Sequence, residues 1–377
     1  MGPQLPRTIL KILLDGVPIV AHPLALNKER KFDERRQLAL TAYYISAGAG
    51  GIAIGVHTTQ FKVHDPKLGL YNKLLELTST FIDECEKKVG KTIIRIAGVL
   101  GDLNQALQEA KTAYKYGYHA ALVSVHHLKG YDHDKIVEYI KAISNEIPIF
   151  GFYLQPAVGG IKLSYKFWLK LFREVDNIVA VKVAPFNRYY TLDVVRALVD
   201  SERENEIALY TGNDDSIIFD LISSYRIRRR NGDEVEVRIV GGLLGHWAFW
   251  TRKSMEIYYY LKSIRNSSTI PREVLVLANQ VTDVNSAVFD AFNDFRGCIP
   301  GIHEMLKRSG LLETNLTLDP EETLSPGQLE EIDRVYNSYP HLRDDKFVSQ
   351  HLDEWLNGKC VQTEMKIPSI DELFKPS

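Results

Sequence analysis

The chain has 377 residues, 45% of them hydrophobic and 25% charged, with 46 lysines and arginines against 48 aspartates and glutamates. A formal net charge of −2 gives none of the basic excess of a nucleic-acid binder, so no nucleic-acid partner is expected. The three cysteines, Cys85, Cys298 and Cys360, are widely spaced and match no metal or redox motif. That pattern predicts a reducing compartment and no disulfide framework.

The N-terminal stretch MGPQLPRTILKILLDG has too short and interrupted an apolar run for a signal peptide or membrane span. Gly2 would permit myristoylation, but Pro6 stands where that motif wants Ser or Thr. The expectation is a cytoplasmic protein with no membrane partner. From about residue 17 to 263, strand and helix patterns alternate. Strands are predicted over 17–23, 51–57, 92–99, 120–126, 147–154, 178–184, 207–213 and 238–245. Helical stretches lie between them near 33–47, 67–89, 103–117, 132–145, 164–174, 191–202, 214–225 and 248–263. In the 103–117 stretch, Leu103, Leu107, Ala110, Ala113 and Tyr114 recur at helical spacing, and Asp102 is placed to cap it.

Eight β-then-α units over about 250 residues predict an α/β fold of the (β/α)8 TIM-barrel type. An open doubly wound sheet is the runner-up, but the first strand is followed by HPLALNKERK rather than a Gly-rich phosphate turn. Residues 226–237 interrupt the alternation and read as a solvated hairpin about Asn231-Gly232, with Arg230 facing Asp233 and Arg229 facing Glu234. Beyond residue 263 only helical patterns follow, near 273–293, 298–309, 326–338 and 344–357. The division expected is a barrel over 1–263 and a packed helical extension over 264–377, with a tail from about 366.

The chemistry centres on the predicted strand over 178–184. Val179, Val181 and Val183 should share one face, and Ala180, Lys182 and Ala184 the other. A strand apolar on both faces suits a covered parallel sheet. An unpaired ammonium there is costly, and the usual escape is a depressed pKa, which makes the amine a nucleophile. A lysine at a strand end, snorkelling to solvent, is the competing reading. In a (β/α)8 barrel, reactive groups lie at the C-terminal ends of the strands. Tyr153 ends the preceding strand, shares a face with Ile147, Ile149 and Gly151, and is expected at hydrogen-bonding range of Lys182 as a proton-transfer partner. A core tyrosine is the bland alternative.

These residues carry a resemblance. Tyr153-Leu154-Gln155-Pro156 followed by Gly159, then Val179-Ala180-Val181-Lys182, resembles the signature pair of the dihydrodipicolinate synthase / N-acetylneuraminate lyase superfamily, Tyr-Asn-x-Pro-x-x-x-Gly and a lysine in a Val/Ile-rich strand. Gly48 to Gly55, Ile96-Ala97-Gly98-Val99, Gly212-Asn213-Asp214 and Gly241-Gly242 resemble the family's landmarks of strands two, three, seven and eight, in order. The resemblance covers roughly residues 15–310.

What it implies is a Schiff-base lyase, aldolase or dehydratase acting on a small-molecule 2-oxo acid of the pyruvate type, mostly as a homo-oligomer, dimer or tetramer. Lys182 would form the imine and Tyr153 would relay protons. No metal or cofactor is required. Thr58 and Thr59 are the expected contacts to the substrate carboxylate, although an ungapped match puts Val56 and His57 there instead. His57 and His127 are expected near the pocket, with Gly212 and Gly242 lining it.

The sequence also departs from the family. The second tyrosine of the synthases is replaced by the segment Val125-His126-His127-Leu128, and Val158 stands where some carry an arginine. A less acidic substrate than that of the synthases is therefore expected. Arg188, His246 and Trp247 are further candidates at the strand ends. Two other readings remain open: a metal-assisted barrel enzyme using His57, His126 or His127, and a barrel with a binding or regulatory role.

Overall fold

A computed structural model describes residues 2–229 and 231–376. Eight parallel strands close a barrel: β1 (Pro18–Ala21), β2 (Gly51–Ile54), β3 (Ile94–Val99), β4 (Ala120–Val123), β5 (Ile149–Leu154), β6 (Ile178–Ala184), β7 (Ala208–Thr211) and, after the hairpin strands β8 (Tyr225–Arg228) and β9 (Glu234–Val237), β10 (Ile239–Leu244). The spatial order is β1-β10-β7-β6-β5-β4-β3-β2, and helices run between successive barrel strands. The expected (β/α)8 barrel with C-terminal helices is the fold.

The two faces of the strands make two cores. Ile19, Ala53, Ile96, Leu122, Phe150, Phe152, Ala180 and Tyr210 fill the barrel, while Val20, Ile52, Val123, Tyr153, Val181 and Val183 pack outward against helices. Burial on both faces explains why these strands lack a hydrophobic-polar alternation. The register between β5 and β6 shifts once, from Ile149↔Ile178 to Phe150↔Ala180, so Val179 bulges and joins the barrel interior. That corrects the expected grouping of Val179 with Val181 and Val183.

The helix Arg7–Asp15 was not anticipated. It plugs the N-terminal end of the barrel with Ile9 and Leu13, and the Leu13 carbonyl accepts from the Tyr210 hydroxyl at 2.9 Å. Asp102 caps the following helix by accepting from the Gln105 N–H at 2.9 Å. The hairpin pairs Arg228 with Glu234, one residue off the expected register, and the Arg229 guanidinium turns away to Glu204. Arg230 lies outside the described residues.

Helices Arg272–Val288, Cys298–Arg308, Gln328–Ser338 and Asp345–Leu356 follow the barrel. Cys85 and Cys360 are joined, with Cα atoms 5.4 Å apart across 275 residues of sequence. The spacing predicted no disulfide, because only the folded arm brings Cys360 to the helix Leu70–Val89. No helix among the described residues is long and apolar enough to cross a membrane.

Candidate active site

Lys182 projects from β6 into the mouth of the barrel and is only 8% exposed. Its neighbour in register on β5 is Phe152, and the ammonium stands 4.8 Å from the centre of that ring. Parallel partners in register share a face, so Tyr153 pairs with Val183 on the outside. There it packs on Trp168 and Tyr190, and its oxygen accepts from the Leu163 N–H at 3.3 Å. The expected pairing of Tyr153 with Lys182 is thus corrected: one residue of register decides which face a side chain meets.

Lys182 needs room, and Gly212, just beyond the end of the adjacent strand β7, supplies it. A Cβ at Gly212 would lie 2.5 Å from Lys182 Cε and 2.6 Å from the Ala184 Cβ. The remaining cavity is about 50 Å3. Its polar lining comprises Lys182, Asp214, His57, Thr58, Gln155 and Cys298. Phe152, Leu154, Phe186, Phe289, Phe295 and Ile302 supply most of the apolar wall. Four of the lining residues, Phe289, Phe295, Cys298 and Ile302, come from the C-terminal helices and their connections.

Burial lowers the Lys182 pKa, and the fields of Asp214 and Cys298 oppose it. Burial raises the Asp214 carboxyl, against the opposing field of Lys182 and the His246 N–H that it accepts at 3.1 Å. A neutral amine beside a neutral acid is therefore accessible near neutral pH. Burial, aided by the charges of Lys182 and His126, pushes His57 down to about 4, so it enters the site as a neutral imidazole.

Of the remaining candidates, Thr58 lines the cavity. Thr59 does not: its hydroxyl donates to the His22 carbonyl at 2.7 Å and accepts from the Gly55 N–H at 3.1 Å, clasping the turn after β2. His127 lies outside the cavity, with its ring 5.4 Å from that of Tyr139. His126 stacks on Phe61, whose edge meets His57. Gly242 makes room for Trp247, whose ring would sit 2.7 Å from a Cβ there, and Gly245 takes its place in the cavity wall. Arg188 is committed to Asp220, a fully buried carboxylate that also accepts from Thr211 and Asn213. Among the described residues, no group of three or more His, Cys, Asp or Glu is placed to hold a metal ion.

Asp214, Gln155, Cys298 and the aromatic wall were not singled out from the sequence. Asp214 and Gln155 left a signal, as members of the Gly212-Asn213-Asp214 landmark and of the Tyr153-Leu154-Gln155-Pro156 motif.

Residues 18–223, just over half of the chain, match the model of the dihydrodipicolinate synthetase family. The chain belongs to this family. The solved structures it resembles include a 4-hydroxy-tetrahydrodipicolinate synthase from Methylacidiphilum fumariolicum SolV (16% identity, TM-score 0.68, 90% of this chain and 99% of that one). A second is dihydrodipicolinate synthase from Acinetobacter baumannii, complexed with pyruvate (17% identity, TM-score 0.66, 85% and 98%). A third is N-acetylneuraminate lyase from Fusobacterium nucleatum (16% identity, TM-score 0.65, 86% and 99%). At these identities the likeness is one of fold. No curated protein matches the chain.

Proposed function

We propose that the protein is a lyase of the class I aldolase type, forming an imine between Lys182 and the carbonyl of a small 2-oxo acid. The observation that carries this is the buried lysine with a depressed pKa, held beside a buried acid in a small cavity at the mouth of the barrel. The neutral amine adds to the carbonyl carbon, and the nitrogen's proton passes to the new alkoxide, giving a carbinolamine. Asp214, in its acid form, protonates the departing hydroxyl, so water leaves and an iminium remains. The Asp214 carboxylate is then the base that takes a proton from C3, and the iminium accepts the electron pair. In the synthetic direction C3 of the enamine attacks an acceptor aldehyde, whose oxygen takes up a proton. In the cleavage direction the C4 hydroxyl of the iminium adduct gives up its proton, the C3–C4 bond breaks and its electron pair passes to the iminium, leaving the enamine. A hydroxyl at C4 can instead leave from the enamine as water once protonated, which is the dehydratase outcome.

The Thr58 hydroxyl and the Gln155 amide are the groups offered to the substrate carboxylate. Among the described residues no arginine lines the cavity, which supports a monocarboxylate over a dicarboxylate. The pyruvate complex of the Acinetobacter relative supports the 2-oxo acid class. A homo-oligomer and a cytoplasmic setting belong to the same proposal.

The test is borohydride reduction in the presence of pyruvate and a panel of other 2-oxo acids, followed by peptide mapping. A stable adduct on Lys182, absent in Lys182→Ala, is expected. Folded protein that traps none of them overturns the reading. A second reading, a ligand-binding barrel without turnover, is favoured by the outward placement of Tyr153. It is distinguished by binding of 2-oxo acids without any adduct.

A further inference from the structure

The helix Arg272–Val288 lies beyond the span matched by the family model, yet two of its side chains grip the loop that carries Asp214. Thr282 Oγ1 donates to the Asp215 carbonyl at 2.8 Å. Asn285 Nδ2 donates to the Asp214 carbonyl at 2.6 Å. The two residues are three apart, so they project from one face of the helix. The Asn285 side-chain oxygen makes a further contact, 2.7 Å from His246 Nδ1. His246 is buried and held neutral, with its pKa down to about 4, so Nδ1 is the donor and carries the ring's single proton. The backbone N–H of the same His246 donates to Asp214 Oδ1 at 3.1 Å. A closed circuit results: Asn285 holds the main chain of Asp214 with one end of its amide, and with the other the residue whose N–H holds the Asp214 carboxylate. Asn285 is 3% exposed and His246 4%.

We propose that Asn285 is a positioning residue that fixes Asp214 against Lys182, so that the C-terminal extension is part of the reactive site. This rests on the reading of Lys182 and Asp214 as the reacting pair. The amide is suited to the task because it presents a donor and an acceptor at fixed separation, and a hydrocarbon of equal size presents neither. Without it, the His246 turn loses its anchor and the N–H loses its aim at the carboxylate. Asp214 then holds its proton more readily, and Lys182 loses its counter-charge. The other charged or titratable groups facing this pair are His57 and Cys298 on the lysine side and Asp215 on the aspartate side. None of them contacts Asn285 directly.

The test measures the lysine without any substrate. Lys182 is competitively labelled with acetic anhydride across pH in the full chain, and the modified peptide is quantified by mass spectrometry. Only the free amine reacts, so the midpoint reports the fraction of neutral Lys182. Asp214→Asn removes the counter-charge and sets the limit, a midpoint at lower pH than in the wild type. Asn285→Ala is expected to move the midpoint in the same direction by about half a pH unit or more. Asn285→Leu, which keeps the number and branching of the side-chain heavy atoms, should do the same if the alanine variant proves too unstable to measure. A variant that melts earlier but labels with the wild-type midpoint reduces Asn285 to a packing role and overturns the proposal. The labelling shift is independent of imine chemistry. Wild-type protein that traps no 2-oxo acid, with the shift present, overturns the Schiff-base reading and leaves the positioning role standing.

Discussion

Gly212 and Lys182 share one space. The glycine just after β7 leaves the gap through which the lysine's butyl chain reaches the cavity, and a Cβ there would press to 2.5 Å of Lys182 Cε. The Ala184 Cβ would lie 2.6 Å from the same added methyl, so the group is crowded by both neighbours and something must shift. Gly212→Ala should therefore displace the amine in a protein that still folds. Misplacement of a reacting atom by about 1 Å is worth on the order of 10²-fold in rate. Borohydride trapping is expected to slow by about that factor, with an unchanged circular dichroism spectrum.

Tyr153 offers a sharp contrast. In the outer layer its hydroxyl has one task, accepting from the buried Leu163 N–H. Tyr153→Phe leaves that donor unsatisfied, which costs about 1–3 kcal/mol of stability. Trapping at Lys182 should proceed at the wild-type rate. A proton relay at this position would instead show a loss of about 10²–10⁴-fold. Measuring both the melting temperature and the trapping rate separates the two cases.

Under the function proposed above, the aromatic wall sets the size of the substrate. Phe186 and Phe295 meet edge to face with centroids 5.6 Å apart, and both hold positive φ, 50° and 65°. Left-handed conformations in non-glycine residues are costly and persist only where the surroundings impose them. Phe295→Ala opens the cavity without touching Lys182. Longer 2-oxo acids should gain in trapping rate relative to pyruvate. An unchanged ratio across a series of increasing chain length would show that this contact does not limit size.

Acid should destabilise the fold before most carboxylates titrate. His22, His57, His119, His246 and His303 are all pushed by burial to about 4, against 6.5 for the free side chain. Between those values the unfolded chain binds protons that the folded chain refuses. Stability is therefore complete above about pH 6.5 and falls as pH drops towards about 4. Asp214, Glu322 and Asp344 act in the opposite sense, since burial raises them. Burial also raises Asp215 and Asp220 and lowers His126, His127 and His341, so eight depressed histidines stand against five raised carboxyls and the histidines remain ahead. Urea midpoints measured from pH 7 to 4.5 are expected to decline, and a flat or rising series would contradict this balance.

Much of the barrel was legible before folding. Eight apolar runs separated by amphipathic stretches leave few architectures, since each run needs cover on both faces and each stretch can provide it on one. Lys182 was legible for a related reason: a charge in the middle of such a run has no cheap resting place. The register of that strand against its neighbours was not. Alternation assigns Tyr153 and Phe152 to opposite faces, but nothing local says which face is the inside, because both faces are apolar.

The sequence by itself determined the class of fold, the family and the amine buried in the barrel strand, because periodicity and an anomalous charge are properties of contiguous residues. Tertiary structure alone decided that amine's companions. Asp214 meets Lys182 only when β7 lies beside β6, Cys298 and Phe295 arrive from more than 100 residues further along, and Asn285 acts through a loop it does not belong to. Contacts of that kind depend on register and closure. A change of one residue in pairing would reverse every face, and no local pattern records it.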